Sequence, residues 1–160
     1  MNNVDNLKSY NDVEKVQLTL SDVDFEKYCS DKLESAKGNV AFIREHIYDG
    51  KPMSVCEIGS GNSKLLYSLE RESIINEAVG YEVSEARYRF AEKWKEKIGI
   101  KKVRNIHSNF LDDNSSSTYD LIIFVDIVFQ IVANLYDGAE DAALSWVYSH
   151  LSRGGVFCLR

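Results

Sequence analysis

Proline is almost absent from these 160 residues: Pro52, inside "DGKP", stands alone. Nothing else of that kind interrupts the chain, so long stretches remain free for helix and strand. Cysteine is scarce too, with Cys29, Cys56 and Cys158 odd in number and far apart. That excludes a disulfide framework and argues against a metal centre. Cys56 and Cys158 stand in apolar strand-like runs, so buried, reduced thiols and a cytoplasmic location are expected. The three histidines, His46, His107 and His150, fall in separate segments without metal-ligand spacing, so structural or surface roles are expected of them. No apolar run approaches the ~20 residues of a membrane span. The opening "MNNVDNLKSYNDVEKVQ" has no apolar stretch behind a basic start and does not read as a secretory signal. Positive charge is in deficit, with 19 basic against 25 acidic residues and a net charge of −6. Nucleic acid is therefore a poor candidate partner, since its phosphates attract basic surfaces. The run "KWKEKIGIKKVR", with Glu92 and Glu96 interleaved, reads as the wet face of an amphipathic helix and its loop.

What is present is an ordinary globular composition, 44% apolar and 28% charged, at a length suited to one domain. Residues 1–50 read as an N-terminal arm with lid-like helices, and 51–160 as the core. Within the arm, 1–20 is polar, with a brief strand-like "VQLTL". Helices are expected over 22–36, with Phe25, Cys29 and Leu33 at helical spacing, and over 39–48, with Val40, Ile43 and Ile47 on one stripe. Tyr10, Phe25 and Tyr28 precede the core; packing these helices onto the domain is the role expected of them, with covering a bound ligand or touching its reaction partner as the alternative.

Beyond Pro52 the pattern alternates. "MSVCEI" is a short buried strand and "NSKLLYSLER" a helix with Leu65, Leu66 and Leu69 inward. "AVGYEV" is a second strand, after which Ser84 can cap a helix carrying Ala86, Phe90, Trp94 and Ile98. "VRNIHSNF" and "YDLIIFVD" are further strands. A helix over 139–151 would turn Leu144, Val147, Tyr148 and Leu151 inward, "RGG" would close it, and "VFCLR" would be the last strand. Strands alternating with helices predict an α/β fold, doubly wound and Rossmann-like, with helices on both faces of a mostly parallel sheet. Right-handed crossovers place the strand carboxyl ends along one rim, where open sheets of this type bind ligands. Glu57, Glu82, Asn109 and Asp126 all fall at or just beyond such ends.

The stretch "SVCEIGSGNSKLLYSLE", 54–70, narrows the ligand. A dinucleotide turn would read G-x-G-x-x-G, but after Gly59 and Gly61 the third position is Lys64. Glu57 would also stand close to a pyrophosphate and repel it. A carboxylate there suits a ligand that carries an ammonium and no phosphate. These residues resemble the class I S-adenosylmethionine-dependent methyltransferases, whose first motif [DE]-x-G-x-G-x-G matches Glu57, Gly59 and Gly61, with Ser63 at the last position.

The resemblance covers 54–160 and carries further expectations. S-adenosyl-L-methionine is the cofactor that it implies, with Glu57, Ile58, Gly59, Ser60 and Gly61 forming the turn that holds it. Glu82, in "GYEVSEARY", corresponds to the acid that accepts from the ribose hydroxyls, with Val83 beside it. Asn109 stands where the family has an aspartate near the adenine amine, and its amide oxygen can accept instead. Phe110 could pack on the adenine face. Asp126, which ends "YDLIIFVD", is the candidate base or acceptor-orienting residue and also a contact to the cofactor; as a helix N-cap for "IVFQIVANL" it has an equally good alternative role.

The pattern [DNS]-P-P-[YFW] of many amino-group methylases is absent, "DIVF" standing there, which favours a small-molecule or glycan oxygen as acceptor. A cofactor-holding module without catalysis and an NAD-dependent oxidoreductase are the two alternatives. Members of the family continue beyond the fifth strand, whereas this sequence stops at "VFCLR"; another segment, a partner or a second copy is expected to cover that strand edge.

Overall fold

The computed structural model describes residues 21–125 and 138–160. A helix, α1 (Asp22–His46), leads into an alternating series: β1 (Met53–Ile58), α2 (Lys64–Arg71), β2 (Ile75–Glu82), α3 (Glu85–Ile98) and β3 (Val103–His107). A 3-10 turn (Phe110–Asp112) then precedes β4 (Tyr119–Phe124), α4 (Ala139–His150) and β5 (Leu151–Leu159). The strands form one sheet in the order β3-β2-β1-β4-β5. Every pairing in it is parallel. The chain therefore winds outward from β1 to β3, then returns to the other side of β1 and winds outward again. The reversal leaves a crevice beyond the carboxyl ends of the central strands.

Alternation along each strand divides the core in two. Val55, Ala78, Val103, Leu121 and Ile123 face α1, α2 and α3, where Leu65, Leu66, Phe90 and Trp94 meet them. Cys56, Ile58, Val79, Tyr81, Ile122 and Phe124 face the opposite way, toward Phe110 and the α4 residues Ala139, Ala143, Trp146 and Val147. This is the doubly wound sheet expected, with each face covered.

Two expectations about the helices require correction. The segments read as separate helices over 22–36 and 39–48 form the single helix α1. Ser21 caps it by accepting from the Asp24 N–H, acids occupy its first turn and Arg44 and His46 its last, as the helix dipole favours. Gly38 costs a helix interior about 1 kcal/mol relative to alanine, too little to break a helix whose inner stripe is continuous through Phe25, Cys29, Ala36, Val40 and Ile43. Phe25 and Tyr28 bring their rings against Phe90 of α3, as packing residues. The 1–20 arm, with Tyr10, lies outside the described residues.

At α4 the inward face is Ala139, Ala143, Trp146, Val147 and His150, whereas Leu144 and Tyr148 are exposed. "RGG" does not close this helix. It lies inside β5, where the register with β4 jumps from Tyr119↔Leu151 to Leu121↔Val156. The extra residues bulge, with Gly154 at φ 83°. A Cβ on Gly155 would stand 3.0 Å from the Tyr119 carbonyl oxygen. No disulfide forms among the described residues; Cys29 and Cys56 are buried and Cys158 is half-buried. At the amino end of the sheet, Asp120 ties three strands together. Its carboxylate accepts from the Ser54 N–H and hydroxyl, both at 2.9 Å, and from the Ser152 hydroxyl at 2.9 Å.

Candidate functional site

The site is a turn between β1 and α2, and its shape follows from alternate backbone signs. Gly59, Gly61 and Ser63 have φ of 69°, 58° and 61°. The G-x-G-x-S spacing thus places every second residue in the left-handed region, which glycine enters freely and serine at a cost of about 1 kcal/mol. The N–H groups of Gly59 and Ser60 both donate to the Tyr81 carbonyl, at 2.8 and 3.0 Å, and pin the turn to β2.

Beneath the turn runs a row of three residues in register: Glu57 of β1 opposite Gly80 of β2, and Gly80 opposite Asn105 of β3. Neighbours in register on a parallel sheet project to the same face. Gly80 leaves a gap in this row, and Ser60 fills it. A Cβ on Gly80 would meet the Ser60 Oγ at 2.7 Å and its Cβ at 2.9 Å. Sequence reasoning passed over Gly80, because the reason for a glycine in mid-strand lies in a residue twenty positions earlier.

Glu57 is buried, 6% exposed, and its Oε2 has no hydrogen-bond partner. Burial pushes its carboxyl up to about 8; Lys64 opposes that rise and Glu82 adds to it. Glu82 is buried as well but well partnered: its Oε2 accepts from the Gly61 N–H at 2.8 Å and its Oε1 from the Ser84 N–H at 2.7 Å. The Ser60 hydroxyl is a second buried polar atom without a partner. Two acids and an unpartnered hydroxyl under a glycine turn are poorly served by a pyrophosphate and well served by an ammonium with hydroxyl neighbours.

The remaining expected contacts sit around this centre. The Ile58 side chain is in the core, so only its backbone faces the turn. Val83, just past β2, is 60% exposed, and its carbonyl accepts from His107 Nε2 at 3.1 Å. The His107 ring stacks on Tyr88. Asn109 caps the 3-10 turn, its Oδ1 accepting from the Leu111 N–H at 3.1 Å. The Phe110 ring is enclosed edge-on by Phe124 and Trp146. Asp126 lies outside the described residues, two positions past the end of β4. Glu57, Glu82, Gly61 and Ser60 are thus gathered at one place. His150 is buried, stacked on Trp146 with its Nδ1 2.8 Å from the Trp146 carbonyl oxygen, a structural placement. Among the described residues there is no cluster of histidine, cysteine and acids suited to a metal ion. No described helix is long and apolar enough to cross a membrane.

Comparison with known proteins bears on this geometry. A family model described as a methyltransferase domain matches residues 49–160. No curated protein matches. Among solved structures, a methyltransferase of Thiobacillus denitrificans in complex with S-adenosyl-L-homocysteine is 20% identical, with a TM-score of 0.62 over 79% of this chain and 47% of the other. A second such complex, from Geobacter sulfurreducens, is 19% identical, with a TM-score of 0.61 over 79% of this chain and 47% of the other. Coclaurine N-methyltransferase, bound to N-methylheliamine and S-adenosylhomocysteine, is 16% identical, with a TM-score of 0.64 over 79% and 35%. The chain therefore spans about half the length of the first two of these structures. S-adenosylmethionine is the cofactor of the family, and with the matching family model the conclusion is direct: this chain belongs to the class I S-adenosylmethionine-dependent methyltransferases.

Proposed function

We propose that the chain is the cofactor-binding core of an enzyme that passes a methyl group by in-line displacement to an oxygen of a small molecule or glycan. The observation that carries this reading is the buried, unpartnered Glu57 carboxyl beside Glu82, under the left-handed turn. Glu57 would hold the ammonium of S-adenosylmethionine and Glu82 its ribose hydroxyls. The two backbone N–H groups on Glu82 fix that carboxylate in place and leave lone pairs for a diol. Val83 would offer apolar cover to the adenine, Phe110 would support that wall from below, and the Asn109 amide would meet the adenine amine.

When bound, S-adenosylmethionine supplies a methyl group activated by its sulfonium. The chain's own task is orientation and exclusion of water, and alignment of two reactants can lower a barrier by about 7–11 kcal/mol. Asp126 is the proposed group that orients the acceptor hydroxyl and takes its proton, on its chain position just beyond β4. The surplus of acidic residues and the absence of the amino-methylase motif support a small-molecule or glycan acceptor over nucleic acid.

Calorimetric titration tests the reading. Saturable binding of S-adenosylhomocysteine, with no response to NAD, is expected. Saturable NAD binding without a response to S-adenosylhomocysteine overturns it. Incubation with labelled S-adenosylmethionine and a metabolite panel then separates an enzyme, which releases S-adenosylhomocysteine with some acceptor, from a module that only binds.

A further inference from the structure

The weakest position in the glycine motif is Ser63, and it is held by an unusual device. Ser63 is completely buried and left-handed, and its hydroxyl donates to Asn105 Oδ1 at 2.7 Å. Asn105 is itself fully engaged. Its Nδ2 donates to the Tyr67 hydroxyl at 2.8 Å and to Glu92 Oε1 at 2.6 Å, while Tyr67 donates onward to the Ala91 carbonyl at 2.8 Å. A single amide on β3 thus ties the last residue of the turn to α2 and α3. It also stands in register with Gly80, the residue on which Ser60 rests.

We infer that Asn105 is a positioning residue for the cofactor turn, which acts by holding Ser63 left-handed. Glycine at this position would adopt the same conformation without help; serine needs the bond. Without it the free protein relaxes to a right-handed Ser63, and binding must first restore the turn, which weakens the apparent affinity by the fraction of chains still competent. The inference rests on the methyltransferase reading above.

The experiment measures S-adenosylhomocysteine affinity by calorimetry, with thermal unfolding in parallel, for the whole chain and four variants. Ser63→Ala removes the hydroxyl and keeps the backbone demand, so binding is expected to weaken about tenfold. Ser63→Gly removes both and is expected to stay within about threefold of the parent. Asn105→Ala is expected to weaken binding about tenfold, and Ser63→Gly added to it is expected to restore most of that loss. A purely structural Asn105 would lower the melting temperature and leave affinity unchanged, with no rescue by glycine. Equal affinities for Ser63→Ala and Ser63→Gly overturn the inference, as does parent-like binding by folded Asn105→Ala. Should Asn105→Ala fail to fold, the two Ser63 variants decide the matter alone. If the parent chain binds no S-adenosylhomocysteine, the proposed function falls and this inference with it; failure confined to the variants leaves that function standing.

Discussion

Replacing Glu57 by glutamine should make the ligand-free protein progressively more stable than its parent as pH rises. In the fold, burial pushes the Glu57 carboxyl up to about 8 from an ordinary 4.5. Between those values the folded chain holds a proton that the unfolded chain has already released. Stability is therefore lost as pH climbs through this window, and the loss levels off above the folded value. The slope is about 1.4 kcal/mol per pH unit in mid-window, which amounts to about 3 kcal/mol between pH 5 and 8. Glutamine does not titrate. Its own buried amide adds a constant cost, so the diagnostic is the pH dependence of the difference, not its value at one pH. For a chain of this size the difference in melting temperature should widen by about 6–12 °C over that range. Thermal unfolding of both proteins without ligand, at half-unit pH steps, checks it. A gap that stays flat with pH would refute the claim that Glu57 is held neutral. Binding provides a second measurement on the same proton. An ammonium pairs with the ionised carboxylate, so near pH 7 S-adenosylhomocysteine binding should release a proton, read from calorimetric enthalpies in buffers of different ionisation heat. The glutamine variant should release none and bind more weakly.

Three further outcomes follow from other contacts. Gly80→Ala drives a methyl into Ser60, 2.7 Å from its Oγ, and is expected to cost about 1–3 kcal/mol in denaturant unfolding and to weaken cofactor binding; Ser60→Gly should relieve both. Asp120→Asn loosens the clasp on Ser54 and Ser152 and is expected to cost about 1 kcal/mol at pH 7, discounted for its partial exposure. Because these bonds, the Ser54 N–H first, hold the Asp120 carboxyl below its usual range, that cost should shrink as falling pH protonates it in the parent; a difference that does not change with pH contradicts this account. Asp126→Asn should leave S-adenosylhomocysteine affinity within a few-fold and cut turnover of whichever acceptor the panel identifies, whereas strongly weakened binding with turnover intact would remove Asp126 from the acceptor side.

Much of this architecture can be read along the chain, and the places where it cannot have particular physical reasons. "MSVCEI" coincides with β1 because a short apolar run between turn residues has few other fates. Ser84 was legible as a cap because its role is local. Gly38 does not divide α1, because a glycine stops a helix only where the burial on either side is weak. The buried face of α4 was hidden because it includes the small Ala139 and Ala143, which carry little hydrophobic signal. The partnership of Glu57 and Glu82 was legible from the motif, as strand ends in a parallel sheet share one rim. Asn105 and Gly80 were not, since their significance lies in what the sheet places beside them.

The sheet row Glu57–Gly80–Asn105 gives these features a common cause. A buried acid without a partner, a glycine in mid-strand and an amide in a half-buried strand position each weaken the sheet on their own terms. Standing side by side, they do what three valines could not. Gly80 leaves room for Ser60 of the turn, Asn105 locks its last residue, and Glu57 Oε2 is left buried without a partner. A row of apolar residues would fill the gap, displace Ser60 and remove the charge that the proposed ammonium contact requires. Under the proposed function, the trade between stability and binding is sharpest at Glu57, where a variant that raises stability near neutral pH should lower cofactor affinity.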